Sequence, residues 1–90
     1  MKHIRLSTQY KRDYKRYKHQ RTKIAKLFDI LELLRHGKPI PQSNKPHPLK
    51  GKYKGYMECH IEGDFLLIWI DEKNDIIELV RLGTHSELFG

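Results

Sequence analysis

From residue 8 onward the apolar residues of this chain change their spacing once, and a proline-rich segment marks the change. In residues 8–35 they recur every three or four positions, which is typical of amphipathic helices. In residues 54–82 they alternate or run together, which indicates strands. All four prolines lie between these parts, in residues 37–52, and predict an extended loop. We expect the 90 residues to form one domain, spanning residues 1–90.

The first part of the chain predicts a strand and then a helix. Residues 2–7 alternate in polarity, and Ser7 or Thr8 can cap the helix that follows. One face of this helix carries an aromatic stripe formed by Tyr10, Tyr14 and Tyr17. We interpret the stripe as facing the core rather than stacking on bases, because helical spacing is the ordinary core pattern.

A second helix follows and ends near His36-Gly37, where glycine suits the C-terminal cap. We expect it to pack against the first helix as an antiparallel hairpin. Its predicted apolar face consists of Ile24, Leu27, Phe28, Ile30, Leu31, Leu33 and Leu34.

The last part of the chain predicts three strands, at residues 54–61, 64–70 and 76–82. Glu62-Gly63 is predicted as a two-residue turn between the first two. Residues 84–89 are predicted as a short helical turn or tail. The predicted fold class is therefore α+β, with the N-terminal strand and helical hairpin on one face of an antiparallel sheet.

This turn would pair His60 with Phe65 and fix which side chains share a face. The face toward the helices would hold Met57, Cys59, Ile61, Leu66, Ile68 and Ile70. The other would hold Tyr56, Glu58, His60, Phe65, Leu67 and Trp69, a surface whose aromatics could stack on RNA bases. Asp64 falls with the core residues but can turn to solvent at its strand end. Arg81 reaches the outer face only if its strand bulges or ends early, and we expect one of these.

Charge divides the chain unevenly. Residues 1–55 hold sixteen Lys/Arg and three Asp/Glu, whereas residues 56–90 hold two Lys/Arg and eight Asp/Glu. The net charge of the whole chain is +7. Such a basic block is typical of nucleic-acid binding, although a solvated helix face is the plainer reading. No apolar run could span a bilayer or act as a signal peptide. The single cysteine, Cys59, excludes an intramolecular disulfide and fits a cytoplasmic protein without membrane contact.

Three histidines in the last half of the chain, His47, His60 and His85, suggest acid–base chemistry, because histidine titrates near neutral pH. RNA can be cut by its own 2′-OH if a base, an acid and cations for the phosphate are present. His60 with Glu58 or Asp64 could be the base and its orienting partner, and His47 or His85 the acid. Phosphate could be held by Arg81, Lys50, Lys52 and Lys54.

This scheme requires neither metal nor cofactor, but two other readings stay open. Each histidine could be an ordinary surface residue. A metal site built from His47, His60, His85 and Asp64 is the sharper rival, although no His-Glu-x-x-His run or cysteine pair supports it. We assign no chemistry to the other three histidines: His3, His19 and His36.

Several spaced motifs of the second half resemble the YafQ branch of the RelE-like toxins. They are His47-Pro48-Leu49-Lys50-Gly51, Lys54-Gly55-Tyr56-x-Glu58-x-His60, Asp64-Phe65-Leu66-Leu67-Ile68-Trp69 and Arg81-x-Gly83-Thr84-His85-Ser86-x-Leu88-Phe89-Gly90. The motifs cover about half the chain, and the element order matches over its whole length. The resemblance implies a RelE-like toxin fold. It also implies the toxin of a type II toxin–antitoxin pair, an endoribonuclease that cleaves translated mRNA in the ribosomal A site.

The resemblance also implies site residues. The catalytic set would be His47, His60, Asp64 and His85, with His85 as the general acid, although acid and base could be exchanged. Arg81 would stabilise the phosphate and Phe89 would orient the substrate. Glu58 stands where the branch can have Asp, and Phe65 where it can have Trp, which puts codon preference in doubt more than activity.

The implied partners are the ribosome, mRNA and an acidic antitoxin with a ribbon-helix-helix DNA-binding region. Through that antitoxin, the complex would bind operator DNA. The basic helices could contact ribosomal RNA, the antitoxin, or both. Two alternatives remain: a non-catalytic RNA-binding module, and a partner of the antitoxin that acts in repression alone.

Overall fold

The computed structural model describes residues 1–90. In chain order its elements are β1 (His3–Leu6), α1 (Thr8–Tyr17), α2 (Arg21–Arg35), β2 (His47–Pro48), β3 (Met57–Glu62), β4 (Phe65–Glu72), β5 (Ile76–Gly83) and α3 (His85–Phe89). Two 3-10 turns, Gln42–Asn44 and Gly51–Tyr53, give the proline-rich segment more structure than the predicted extended loop. None of the helices has both the length and the apolar composition needed to cross a bilayer.

The strands form one sheet in the order β1-β5-β4-β3-β2. Helix α1 packs on β5 and α2 on β3, around one shared apolar core. The predicted α+β class, with both helices on one face, is confirmed. One detail is wrong: β1 runs parallel to β5, whereas the other pairs are antiparallel. Strand β1 pairs with the last strand of the chain, so no tight turn imposes an antiparallel direction on it.

Helix α1 begins where the sequence predicts. The Ser7 hydroxyl oxygen accepts the Tyr10 N–H at 2.9 Å, which satisfies a free donor of the first turn. The same hydroxyl donates to the Val80 carbonyl at 2.8 Å and so ties the cap to β5. Tyr10 and Tyr17 are buried and Tyr14 packs against the core, so the interpretation of the stripe as core-facing is confirmed.

Helix α2 ends as predicted at Gly37, whose φ of +65° favours glycine. The N–H groups of Gly37 and Lys38 return to the carbonyls of Leu34 and Leu33 at 3.1 and 2.9 Å, which closes the helix. Its buried residues are Ile24, Leu27, Ile30 and Leu34. Phe28, predicted on the apolar face, lies on the flank of the buried stripe and is 50% exposed.

The register between β3 and β4 differs by one residue from the predicted one. The turn falls at Gly63-Asp64, His60 pairs with Leu66, and the ladder is irregular at Ile61. Because strand side chains alternate, a slip of one residue exchanges the faces of β4. Phe65, Leu67 and Trp69 therefore pack under the helices, and Leu66 and Ile68 lie on the opposite face.

The faces of β3 are as predicted, but those of β4 are not. Cys59 and Ile61 pack in the main core, while Glu58 and His60 lie opposite. We call this opposite side, away from α1 and α2, the far face. Tyr56 packs against the far-face cluster as predicted, but Phe65 and Trp69 are in the core, where Phe65 packs on Tyr17 with ring centroids 4.7 Å apart. The observed register buries these larger side chains, which favours it.

The bulge expected near Arg81 is present. Ile68 pairs with Arg81 but Trp69 pairs with Leu79, so Val80 is the extra residue in β5. Leu79 and Leu82 consequently both face the core. Strand β1 pairs only with the first half of β5, which leaves Arg81 beyond the paired segment.

Candidate active site

His47 and Glu58 form a close pair on the far face because they lie directly opposite each other in β2 and β3. His47 Nε2 is 3.0 Å from Glu58 Oε1. The Glu58 side chain is 5% exposed, and its Oε2 has no hydrogen-bond partner. A buried carboxylate with one free oxygen favours a positively charged neighbour.

His47 has acceptors at both ring nitrogens. Nδ1 lies 3.1 Å from the Pro48 carbonyl oxygen, while Nε2 faces the Glu58 carboxylate. Both acceptors can be satisfied at once only when both nitrogens carry protons. The two flanking prolines are tolerated because β2 is an edge strand.

His60 has a different arrangement. Its Nδ1 lies 2.9 Å from the Gly63 carbonyl oxygen, which can only accept. Nδ1 therefore carries the proton, and in the neutral ring Nε2 keeps a free lone pair. The sequence proposed Glu58 or Asp64 as the orienting partner of His60, but the turn carbonyl takes that place.

Asp64 contacts His85 through the backbone. Its Oδ1 accepts the His85 N–H at 2.9 Å, at the first residue of α3. The His85 ring lies against Phe89 one turn later, with centroids 4.9 Å apart. Phe89 in turn meets the edge of Tyr53 at 5.7 Å. Asp64 thus fixes the start of the helix that carries both residues.

Arg81 is held by a residue that the sequence analysis did not identify. Its Nε donates to Asp13 Oδ2 at 2.9 Å, and the Leu82 N–H donates to the same oxygen at 2.9 Å. Gln9 Nε2 donates to the other oxygen at 3.1 Å, and Asp13 is fully buried. The hydrogen bond to Asp13 raises the pKa of Arg81, so its charge is permanent. Asp13 could have been found as the one acid of α1, spaced i+3 from Tyr10 and i−4 from Tyr17.

Of the residues predicted to bind substrate or phosphate, the three lysines are exposed, whereas Glu58 and Phe65 are buried. Lys50 and Lys52 line a cleft of about 530 Å³ with Tyr53 and Phe89, while Lys54 is exposed nearby in sequence. Glu58 and Phe65 do not belong to such a surface. Glu58 is a buried anion, which would repel phosphate, and the slip in register places Phe65 in the core. No three His, Cys, Asp or Glu side chains lie close enough together to hold a metal ion in this structure.

Comparison with known proteins agrees with this fold. Residues 2–90 match the family described as the bacterial toxin of type II toxin–antitoxin systems, YafQ. The chain belongs to the YafQ toxin family. The predicted resemblance is therefore confirmed.

Curated relatives and solved structures extend this membership over the whole chain. The mRNA interferase toxin YafQ of Escherichia coli K12 is 37% identical over 89 residues, covering 97% of this chain and 95% of the relative. The crystal structure of YafQ from E. coli BL21(DE3) covers both chains completely, with TM-score 0.88 and 32% identity. A YafQ chain in the E. coli DinJ–YafQ complex also covers both completely, with TM-score 0.85 and 33% identity. A metal-bound toxin from Helicobacter pylori is 36% identical, with TM-score 0.88, and covers 99% of this chain and 100% of its own.

Proposed function

We propose that this YafQ-family toxin is an endoribonuclease that cleaves mRNA during translation, in the ribosomal A site. The contrast between His60 and His47 carries the proposal, because the bond at Nδ1 leaves His60 Nε2 free, whereas His47 Nε2 faces the Glu58 carboxylate. Phosphodiester cleavage by the 2′-OH requires a base and a cation, and we assign these roles to the two rings on one side of the sheet. The mRNA interferase name of the E. coli relatives supports endoribonuclease activity.

In the proposed reaction His60 Nε2 takes the proton of the 2′-OH, and the new 2′-oxygen bond to phosphorus forms. The bond from phosphorus to the 5′-oxygen breaks, and His85 gives that oxygen a proton. The products are a 2′,3′-cyclic phosphate and a free 5′-OH. His47 and Arg81 stabilise the negative charge that develops on the phosphate.

The cleft beside α3 gives the substrate a binding surface. Phe89 and Tyr53 offer aromatic faces for the bases next to the cut, and Lys50 and Lys52 offer charge for the flanking phosphates. Lys52 also lies over the Tyr53 ring, with its Nζ 5.8 Å from the centroid. We assign Asp64 to positioning His85, because its carboxylate contacts the His85 backbone.

The proposed partners follow from charge. Five basic side chains of α1, α2 and the turn between them lie outside every ion pair: Lys11, Arg12, Lys15, Lys18 and Arg21. In the active toxin these positive charges suit binding to the phosphates of ribosomal RNA. In the inhibited toxin they suit binding to an acidic antitoxin. The E. coli YafQ–DinJ complex supports an antitoxin partner, through which the pair would reach operator DNA.

Replacing His85 tests the catalytic proposal. We expect His85→Ala to lower mRNA cleavage by roughly 10²–10⁴-fold, because one proton-transfer group is lost. His19→Ala, an exposed histidine between α1 and α2, is the matched control and should cleave normally. The readout is the set of new 5′ ends on an mRNA translated with purified ribosomes. Undiminished cleavage by His85→Ala would contradict the assignment, and RNA binding without any new ends would favour the non-catalytic module.

Metal independence can be tested separately. The proposed steps assign every proton to a side chain, so toxin treated with EDTA and dialysed into metal-free buffer should cleave mRNA on purified ribosomes as fast as untreated toxin. The metal-bound H. pylori structures make this comparison informative. A loss of cleavage that zinc or copper restores would contradict a metal-free reaction.

A further inference from the structure

Helix α3 carries two residues of the proposed active site but has only five residues. His85 begins it and Phe89 ends it. A helix of this length does not form alone, because nucleation is unfavourable. Its one buried side chain, Leu88, packs on Leu66 and Ile68 but does not fix the direction of the helix start. Polar contacts are needed to fix its orientation.

Asp64 makes one such contact, with the His85 N–H. Glu87 makes the others, from both carboxylate oxygens. Oε1 accepts the Thr84 N–H at 2.8 Å, and the Glu87 N–H donates to Thr84 Oγ1 at 3.2 Å, which completes a capping box. The Tyr17 hydroxyl of α1 donates to the same Oε1. Arg16 Nη1 lies 3.2 Å from Oε2. One side chain therefore joins the start of α3 to α1.

The ionisation states of this cluster favour the same geometry. The Thr84 N–H, followed by the Tyr17 hydroxyl, holds the pKa of Glu87 below its ordinary value. Burial, together with the bond to Glu87, raises the pKa of Tyr17 to about 12. At neutral pH a protonated hydroxyl thus faces an ionised carboxylate, which is a strong donor–acceptor pair.

The backbone leaves room for this arrangement at Gly83. A Cβ built there would lie 2.6 Å from Glu87 Oε1, and the φ of +155° is one that side chains disfavour. Any larger residue at position 83 would displace the carboxylate from Thr84 and Tyr17. Gly83 and Glu87 are therefore matched to each other.

We propose that Glu87 is a positioning residue for the cleavage reaction, holding α3 against α1 so that His85 keeps its place in the proposed active site and Phe89 its place at the cleft. This role rests on the proposed function of His85. Glu87 takes no part in proton transfer. It acts through the orientation of α3, and Tyr17 transmits that constraint from α1.

Kinetics on translating ribosomes test the role. We expect Glu87→Ala to lower kcat on the order of tenfold or more with little change in KM, because misplacing a reacting group by about 1 Å can cost 100-fold. Glu87→Gln should recover part of kcat, since its amide oxygen can still accept one hydrogen bond. Tyr17→Phe should lower kcat when Glu87 is present. It should not lower kcat further in the Glu87→Ala background, because the two substitutions remove the same hydrogen bond. Glu78→Gln, which removes a carboxylate that pairs with Arg5 far along β5, is the matched control.

Amide hydrogen exchange tests the same role without catalysis. The Leu88 N–H donates to the Thr84 carbonyl at 3.0 Å and reports on α3 directly. Its exchange should accelerate in Glu87→Ala and not in Glu78→Gln. Unchanged exchange, or an equal loss of kcat in Glu78→Gln, would overturn the positioning role. A wild-type toxin that cleaves no mRNA would instead overturn the proposed function, even if exchange changed as expected.

Discussion

The two faces of the sheet are covered by very different amounts of apolar structure. Under α1 and α2 lies a core of fifteen buried residues, among them Leu27, Leu67 and Leu79 with no exposed area. On the far face only Leu66, Ile68 and Leu88 form such a cluster. The far face instead carries His47, His60 and α3. The main core and the proposed catalytic histidines thus lie on opposite sides of the same strands, and the histidines can stay near water.

Two buried carboxylates, one on each side of the sheet, differ in how fully their oxygens are hydrogen-bonded. Asp13, beside the main core, has each oxygen hydrogen-bonded by N–H groups of Gln9, Arg81 or Leu82. Glu58, on the far face, has one oxygen on His47 and one without a partner. A satisfied buried carboxylate stabilises the fold, whereas a half-satisfied one is the kind of group retained where a site uses it.

The largest effect is expected from the far face. His60→Ala should lower cleavage by roughly 10²–10⁴-fold while leaving the melting temperature unchanged, because the ring is partly exposed and its loss opens no large cavity. Cleavage rate and thermal unfolding of the same preparation measure both. A melting temperature that falls together with activity would break the division between the two faces.

The main core should respond in the opposite way. Leu67→Ala should lower the free energy of unfolding by about 2–5 kcal/mol, through lost burial and the cavity left behind. Leu66→Ala is the matched control, since Leu66 is equally buried but packs in the small far-face cluster. We expect Leu66→Ala to lower the free energy of unfolding in urea less than Leu67→Ala does, but to lower the cleavage activity per folded molecule more. Equal losses in both variants would show that the two faces contribute alike.

A smaller effect is expected at Asp13. Asp13→Asn should lower the free energy of unfolding by about 1–3 kcal/mol, because charge-assisted bonds to Arg81 and the Leu82 N–H weaken. Asp29→Asn, an exposed acid of α2 outside the ion pairs, is its control and should change little. Urea unfolding at neutral pH measures both variants. Equal stability in the two would contradict a structural role for Asp13.

The smallest effect at neutral pH is expected at Cys59. Burial raises its pKa to about 12, so the folded protein should resist iodoacetamide at pH 8. Because the folded pKa is raised, the stability that this thiol contributes is complete below the unfolded pKa of about 8.5 and decreases as the pH rises above it. The free energy of unfolding, measured with urea between pH 8 and 10, should decrease accordingly. Rapid alkylation at pH 8 would place Cys59 outside the core.

Local signals in the sequence were sufficient for much of the fold. The Ser7 cap, the Gly37 cap and the tyrosine stripe depend on neighbours within one or two helical turns, and the structure agrees with each. The histidines of the candidate site could be named from spaced motifs. Their partners could not, because His47–Glu58 and Arg81–Asp13 join residues from different elements.

The sequence by itself determined the helices, the order of the elements, the basic first half and the family. The tertiary structure alone decided the register of β4, since a slip of one residue exchanges its faces and no local pattern distinguishes Glu62-Gly63 from Gly63-Asp64 as the turn. Packing of Phe65 under the helices decides between them. The same packing fixes which side of the sheet remains open, and therefore where His60 and α3 lie.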